Sequence, residues 1–344
     1  MGVNIKLLNL AHLILNTPFF KKVICSKVGQ VILDSLLILS RKQTVKRGVP
    51  PHYLTSLIFI KEDSTKVPTK LQREYWQQYP KPLGSLKIIH RGNMFLLDEL
   101  KQIVDRLGIT FWLHGGSLIG ALRHNGFIPW DDDVDVGMFR EDFDKLVEYL
   151  RHDSEFKIRA AYHDDLNFSI GYQFKTKDDG FCCFIDIFLF DYFPHNPSVF
   201  DELFSKQRKM MVDDFINLKN KPDPDYYSRH FAVFDSERDE AIGSIVRNHL
   251  ESISYSGVSD YVYYSIENYP FPYPLMRKEE ILPGIKVQFE HLTLTAPANC
   301  QKYLCGYGDY WSPPNDMGVS PHIGYYLPHI EYIDEYLKGR GYNE

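Results

Sequence analysis

Residues 114–138 have the sequence "HGGSLIGALRHNGFIPWDDDVDVGM", in which aspartates fill four of the five positions from 131 to 135. At neutral pH, carboxylates this close repel one another, and the repulsion lowers stability unless a cation or another partner offsets it. A solvated acidic turn is the simplest alternative. The apolar residues around the cluster argue against an exposed loop: Ile128, Trp130, Val134, Val136 and Met138.

The end of this stretch, "DVDVGM", is predicted to be a strand by its β-branched residues and its alternation. Side chains alternate along a strand, so Asp133 and Asp135 project from one face about 7 Å apart, while the valines enter the core. A cation between the carboxylates relieves their repulsion, and Mg²⁺ is typically held by one or two carboxylates plus substrate phosphates. Asp131 has the same spacing and face, which makes it a third ligand or a partner that positions Arg123.

A further carboxylate lies in a more apolar setting. The stretch "CCFIDIFLF" places Asp186 among aromatic and β-branched residues of a predicted strand. A charge buried there has a large desolvation penalty, which pairing with an arginine, metal binding or protonation must relieve. Completion of a metal site with Asp133 and Asp135 is the sharper hypothesis. Asp191 lies an odd number of residues further on, on the opposite strand face, and is given a lesser role.

The glycine pair that precedes the aspartates is predicted to bind phosphate. Gly115 and Gly116 have no Cβ, which lets the backbone approach a ligand. Ser117 is then expected to open a helix whose N–H groups and positive dipole end attract anions. Arg123 lies further along this helix, where it either reaches a diphosphate or is an exposed cation near the helix end. Gly-Gly-Ser alone has a plainer explanation as a tight turn.

The order of predicted elements indicates an α/β (α+β) fold with a small mixed sheet flanked by helices. A helix ending before Gly108, the strand "TFWL", a second helix, the aspartate strand and a third helix follow in turn. Two more strands, a mostly helical stretch and a hairpin over "ILPGIKVQFEHLTLTAP" come after them. We predict an N-terminal extension and linker over 1–80, a catalytic domain over 81–315 with a helical insertion at about 200–275, and a tail helix within 316–344.

The arrangement of Gly-Gly-Ser, an apolar-flanked Asp-x-Asp and a later strand aspartate resembles the nucleotidyltransferase superfamily. More narrowly, "WLHGGSLIGALRHNGFIPWDDDVDVGM" resembles the signature of the LicD family, to which bacterial phosphocholine transferases, fukutin and fukutin-related protein belong. The segments "FIDIFLFD" and "VQFEHLTLTAPANCQKYLCGYGDYWSPP" are similar to other parts of that family. The likeness is densest over residues 95–145, 181–192 and 283–314. No cysteine cluster resembles the zinc-binding loop of fukutin-related protein.

The resemblance implies transfer of a phospho-alcohol group, such as phosphocholine or phosphoribitol, from a CDP-alcohol donor to a hydroxyl of a glycan or lipid-linked saccharide. It implies Mg²⁺ or Mn²⁺ as cofactor, with Asp133 and Asp135 as ligands and Asp186 as a further ligand or general base. The glycine turn is expected to hold a phosphate. Four further residues have both a ligand-binding and a packing or capping interpretation: Trp130, Tyr307, His114 and His124, with a structural role favoured for the histidines. Asp309 either helps to close the cleft or caps its turn.

Three other functions compete with this one. A nucleotidylyl transferase has the same carboxylates but attacks a nucleoside triphosphate and releases pyrophosphate instead of CMP. A glycosyltransferase also carries Asp-x-Asp, but it does not need Gly-Gly-Ser at the start of a helix before the strand. An inactive scaffold of the same fold is the third alternative, and the intact aspartates argue against it because clustered like charge adds nothing to folding.

Composition narrows the partners and the compartment. The net charge of −6 gives the 344-residue chain no field suited to nucleic acid. Five scattered cysteines indicate reduced thiols in a cytosol. Residues 1–48 combine basic residues with leucine-rich stretches, which form either helices packed on the domain or a peripheral membrane contact. With no membrane span or signal evident, we expect a bacterial-type cytoplasm. A peripheral position at its membrane face is one alternative, and a Golgi or secretory lumen is another if the source is eukaryotic.

Overall fold

A computed structural model describes residues 81–342 with gaps at 164–167, 220–230, 233–236, 254–258, 269, 272, 312–319 and 321. Residues 73, 76, 77 and 79 are described as well. The predictions for residues 1–48 lie outside these ranges. Helices and strands are numbered below within the described residues.

The described part alternates helices with short strands. The helices are α1 (Ser85–Leu107), α2 (Gly115–His124), α3 (Arg140–Arg151), α4 (Phe200–Lys219), α5 (Glu237–Ile253), α6 (Cys300–Tyr303), α7 (Ile323–Tyr326) and α8 (Ile330–Gly339). The strands are β1 (Phe111–Leu113), β2 (Asp135–Phe139), β3 (Phe156–His163), β4 (Ser169–Thr176), β5 (Ile185–Phe193), β6 (Phe231–Ala232), β7 (Tyr261–Tyr264), β8 (Met276–Arg277), β9 (Ile285–Phe289) and β10 (Leu292–Ala296).

Eight strands form one mixed sheet, which confirms the predicted fold class. Its order is β1-β2-β5-β4-β3-β6, and β7 pairs with the far end of β5 and with β8. The β2–β5 pair is parallel, whereas the other ladders are antiparallel. Strands β9 and β10 form the separate hairpin that the alternating sequence predicts. The parallel pair matters for the site, because it joins the two strands that carry the conspicuous aspartates.

Helices α1 and α3 contact each other and the sheet, and they bury its apolar face. The predicted helical spacing of α1 is confirmed, since Leu96, Leu97 and Leu100 are fully buried and Gly108 ends the helix with φ +65°. Burying a leucine side chain stabilises a fold by about 1.5–3 kcal/mol. A second apolar cluster joins α4 and α5 to the other end of the sheet. None of the helices in the described residues has the length and apolar character that crossing a bilayer requires.

Three predicted boundaries were wrong by a few residues. Helix α2 begins at Gly115, two residues before the predicted start at Ser117. Strand β2 begins at Asp135, so Asp131, Asp132 and Asp133 belong to the preceding loop. Strand β5 begins at Ile185, although the bond from the Asp186 N–H to the Val134 carbonyl, at 2.9 Å, continues the pairing beyond β2. The four cysteines in the described ranges are free thiols: Cys182, Cys183, Cys300 and Cys305.

Candidate active site at the parallel strand pair

The acidic cluster forms where β2 and β5 run side by side. Asp135 and Asp186 are register partners in this parallel ladder, so their side chains project from the same face of adjacent strands. Asp133 joins them from the loop before β2. One carboxylate oxygen from each of the three residues lies within 4.8 Å of the others. The predicted convergence of these carboxylates is therefore confirmed, although Asp133 reaches the cluster from a loop instead of a strand.

Burial makes this arrangement electrostatically costly. Burial, then the charge of Asp133, raises the pKa of Asp135 well above its usual range, and the same causes raise the pKa of Asp186 to about 7. Burial also raises the pKa of Asp133 and, together with Asp133, that of Asp131. A cation among the carboxylates favours their charged forms. Oxygen ligands held this close suit a hard divalent ion such as Mg²⁺ or Mn²⁺.

The glycine turn makes room for the carboxylates. Gly115 has φ +47°, and a Cβ added there would lie 2.8 Å from Asp135 Oδ2. A Cβ on Gly116 would lie 2.8 Å from Asp131 Oδ2, and the Gly116 N–H donates to the Asp135 carboxylate. Ser117 Oγ accepts a hydrogen bond from the Asp135 N–H at 2.9 Å. The start of α2 therefore positions Asp135, and phosphate binding at this turn stays a prediction.

Asp132 has a partner that the sequence did not reveal. Its carboxylate is fully buried and accepts a hydrogen bond from the His322 backbone N–H at 2.9 Å. His322 Nδ1 lies 3.2 Å from Asp132 Oδ1 and 3.3 Å from Asp133 Oδ2. These carboxylates, led by the hydrogen bond with Asp132, raise the pKa of His322 to about 9. The contact spans 190 residues, and an isolated histidine after a proline gave no signal for it.

Helix α1 supports the same loop from behind. His90 Nε2 bonds to the Asp131 carbonyl at 2.7 Å, and Asn93 Nδ2 donates to the Asp132 carbonyl at 3.0 Å. His90 stacks on Phe127, and burial lowers its pKa to about 4, so the ring is neutral at pH 7. Both residues lie on the buried face of α1. Sequence periodicity assigned that face to the core and missed its polar contacts with the aspartate loop.

Asp186 and Asp191 have different partners on β5. Asp186 Oδ1 accepts a hydrogen bond from Gln173 Nε2 at 3.0 Å. Asp191 is held by Arg140 through two bonds of 2.7 and 2.8 Å. The arginine pairing considered for Asp186 is thus found at Asp191, on the opposite strand face. This contrast supports the lesser role predicted for Asp191.

Arg123 and Trp130 belong to an aromatic cluster. The Arg123 guanidinium lies 3.7 Å above the Trp76 ring, and its Nη1 donates to the Tyr310 carbonyl at 2.9 Å. Arg123 is 3% exposed, so its interpretation as an exposed cation was wrong. Trp130 packs edge-on against Tyr79, with ring centroids 5.5 Å apart. These contacts favour packing for both residues, and their nucleotide contacts stay predictions.

The remaining predicted residues are Tyr307, Asp309, His114 and His124, and only some of them lie near the glycine turn. The Tyr307 hydroxyl comes within 3.0 Å of the Cβ position of Gly115, whereas Asp309 Oδ1 caps its turn by accepting from the Trp311 N–H at 3.2 Å. His114 is buried with its Nδ1 bonded to the Tyr303 hydroxyl at 2.5 Å, and burial lowers its pKa to about 3. His124 Nδ1 bonds to the Trp76 carbonyl at 3.0 Å. Both histidines thus have the structural contacts that the sequence analysis favoured.

A mixed sheet with an acidic cluster beside a glycine turn has the layout of a nucleotidyltransferase-type domain. Residues 108–222 match the family model described as "LicD/FKTN/FKRP, nucleotidyltransferase domain". The resemblance to the LicD family seen in the sequence is therefore confirmed over residues 108–222.

Three relatives illustrate the match. "Lipopolysaccharide cholinephosphotransferase LicD" of Haemophilus influenzae is 34% identical over 128 residues, which cover 34% of this chain and 48% of that protein. "Ribitol-5-phosphate transferase FKTN" of Macaca fascicularis is 30% identical over 165 residues, 48% of this chain and 33% of the relative. "Ribitol 5-phosphate transferase FKRP" of Homo sapiens is 52% identical over 40 residues, 12% and 8% of the two chains. The chain thus spans less than half the length of each of these relatives.

Proposed function

We propose that the protein is a metal-dependent transferase that moves a phospho-alcohol group from a CDP-alcohol to a glycan hydroxyl and releases CMP. The convergence of Asp133, Asp135 and Asp186 within 4.8 Å is the observation that carries the proposal. The family domain supports it, as do the names of the relatives, which are cholinephosphate and ribitol-phosphate transferases. Phosphocholine and a phosphopolyol are accordingly the two groups to test first.

The carboxylates of Asp133, Asp135 and Asp186 would hold Mg²⁺ or Mn²⁺, with Asp131 close by. A divalent ion there supplies charge neutralisation for a diphosphate and helps to align the groups for in-line displacement. The protein contributes the positions of the ligands. Ser117 and the Gly116 N–H fix Asp135, and Gln173 fixes Asp186 through one oxygen. This support restricts side-chain motion, which phosphoryl transfer requires because its rate depends on alignment.

Asp186 is also suited to take a proton from the acceptor hydroxyl. Its burial disfavours the charged form, which makes the carboxylate a stronger base than an exposed aspartate. The hydrogen bond from Gln173 goes to Oδ1 and leaves Oδ2 for a ligand or a substrate proton. Ligand and base are the two roles proposed for this residue.

The direct test offers purified protein a panel of CDP-alcohols, including CDP-choline and CDP-ribitol, with Mg²⁺ or Mn²⁺ and a saccharide acceptor. We expect acceptor-dependent CMP formation that EDTA abolishes. Asp133→Asn should lower the rate by about 10³-fold or more, since it weakens the site for the ion that would neutralise charge at the reacting phosphate. Asp105→Asn changes a carboxylate on the surface of α1, 62% exposed, and should leave the rate unchanged.

Two results would count against the proposal. Pyrophosphate release from a nucleoside triphosphate, with no CMP from any CDP-alcohol, would favour nucleotidylyl transfer. Full activity in Asp133→Asn would remove the acidic cluster from the reaction.

A further inference from the structure

The sheet face that carries the acidic cluster also carries a group of cations. Asp135, Asp186, Gln173 and Arg159 are successive register partners across β2, β5, β4 and β3. Directly paired residues of neighbouring strands share a face, so this polar row runs from the carboxylates to Arg159. The row is continuous in hydrogen bonds, because Arg159 Nη2 donates to Gln173 Oε1 at 2.6 Å and Gln173 donates to Asp186.

Two lysines extend the cationic end of this row. Lys157 and Lys175 are register partners on β3 and β4, and each lies two residues from a member of the row. Residues two apart in a strand point to the same side, so both lysines share the face of Arg159. We call Lys157, Arg159 and Lys175 the cationic strip.

The cationic strip has little negative charge to offset it within the described residues. Lys157 and Lys175 share Asp179, whose Oδ1 is 3.2 Å from one Nζ and 3.9 Å from the other, and which is 83% exposed. The side-chain hydrogen bonds of Arg159 go to the neutral amide of Gln173 and to the Tyr325 hydroxyl. Positive charges this close repel one another and destabilise a fold unless an anion compensates them. In the same way, the clustered aspartates need a cation.

Lys175 adds to this excess of positive charge because its side chain is buried. Its side chain is only 3% exposed, and buried lysines are rare unless they are paired. Burial, then the charges of Arg159 and Lys157, lowers its pKa to about 8. The charged form of Lys175 is therefore destabilised at this position. Lys157 and Arg159 are partly exposed and lie beside the buried Lys175 on the same sheet face, and together they offer N–H donors that suit an oxyanion.

We propose that the cationic strip is an anion subsite that binds a phosphate group of the substrate, separate from the diphosphate at the acidic cluster. Two strand spacings separate Asp186 from Arg159, which is about 10 Å. This is the separation of the two backbones, and Lys157 and Lys175 lie two residues further along β3 and β4. We therefore assign the second anion to a part of the substrates other than the reacting diphosphate. The proposal rests on the proposed function only in assigning the bound phosphate to a substrate. Anion binding itself can be measured without turnover.

The test measures binding of inorganic phosphate and of glucose 6-phosphate to the full chain by calorimetry, with EDTA present and with glucose as the uncharged comparison. We expect glucose 6-phosphate to bind in a salt-sensitive manner and glucose not to bind. Lys175→Met and Arg159→Gln should each weaken binding about tenfold or more, since each removes a charged hydrogen-bond donor. Lys145→Met removes a lysine that is 60% exposed on α3 and should change nothing.

The design separates this proposal from the proposed function. Asp133→Asn should keep phosphate binding, whether or not it abolishes transfer. Methionine has the length of lysine without its charge, so Lys175→Met should fold, and Arg159→Lys should restore part of the affinity that Arg159→Gln loses. Equal affinity in all variants, or equal binding of glucose and glucose 6-phosphate, would overturn the subsite.

Once turnover is measured, the two sources of the phosphate can be told apart. A raised KM for a phosphorylated acceptor, with an unchanged KM for the CDP-alcohol, places the group on the acceptor. The reverse pattern places it on the donor. Equal KM values for wild type and Lys175→Met with every phosphorylated substrate would exclude the cationic strip from substrate binding.

Discussion

Replacement of Asp186 by asparagine should have opposite effects on stability with and without a divalent ion. The side chain is partly buried, and desolvation there raises its pKa from the usual 3.8 to about 7. A raised carboxyl pKa destabilises the folded state as pH rises from about 4 to about 7, and above that range the cost is constant. Asparagine has a similar shape, cannot ionise and still accepts the hydrogen bond from Gln173.

The size of the effect follows from the shift. A difference of about 3 pKa units corresponds to about 4 kcal/mol at pH 8 and to under about 2 kcal/mol at pH 5. In EDTA, Asp186→Asn should therefore have the higher free energy of unfolding, by up to about 4 kcal/mol at pH 8. A metal ion at 100 times its Kd stabilises the wild type by about 2.7 kcal/mol and should stabilise the variant far less. The difference between the proteins should then shrink or change sign.

Urea unfolding at pH 5 and pH 8, with EDTA or with Mn²⁺, measures the free energy of unfolding of each protein under these four conditions. Asp191→Asn is the matched control on the same strand, because its carboxylate is 6% exposed but paired with Arg140. Breaking that pair should cost about 3–5 kcal/mol whether or not metal is present. If Asp186→Asn destabilises the metal-free protein at pH 8, or if Mn²⁺ stabilises it as much as the wild type, the account of the cluster is wrong.

Two further predictions concern the loop that holds the aspartates. The pKa of His322 is raised to about 9, so its stabilising contact with Asp132 is fully present below about pH 6.5 and is lost as pH rises through 9. In metal-free protein, His322→Gln should therefore lower the melting temperature more at pH 6 than at pH 9.5, and an equal loss at both would contradict the charged contact. Gly116→Ala places a Cβ 2.8 Å from Asp131 Oδ2, and we expect Mn²⁺ affinity to fall about tenfold or more while the fold survives. Calorimetric titration with Mn²⁺ checks this, and unchanged affinity would show that the turn tolerates a side chain.

Local pattern was sufficient to find β1, β2, β4, β5, the β9–β10 hairpin and the acidic cluster, whereas β3, β6, β7 and β8 were not predicted. Alternation placed the valines of "DVDV" in the core, and the apolar setting of Asp186 marked it as a buried charge that needs a partner. The mixed sheet and the hairpin followed from periodicity and order. These features depend on residues close in sequence, which is why the sequence predicted them.

The contacts of the loop could not be predicted in the same way. Asp132 is held by His322, 190 residues away, and His90 reaches the loop from a helix face that periodicity assigns to the core. Arg123 lies near a helix end, where an exposed position was one alternative, but its guanidinium stacks on Trp76. Such pairings depend on how distant elements pack, and a single sequence carries no signal for them.

The neutral amide of Gln173 lies between the guanidinium of Arg159 and the carboxylate of Asp186, and it prevents a direct ion pair between them. With an effective dielectric constant of 20, an arginine 4 Å from Asp186 would stabilise its charge by about 4 kcal/mol, whereas one about 8 Å away, the most that the two hydrogen bonds through Gln173 allow, contributes about 2 kcal/mol. Direct pairing, as at Arg140 and Asp191, would satisfy the carboxylate and weaken its demand for a cation. Gln173 instead accepts a hydrogen bond from Arg159 and donates one to Asp186. It thereby fixes the position of the Asp186 carboxylate and separates the two charged groups. Under the two proposals, the acidic cluster thus keeps its demand for a divalent ion and the cationic strip keeps its demand for an anion, on one face of one sheet.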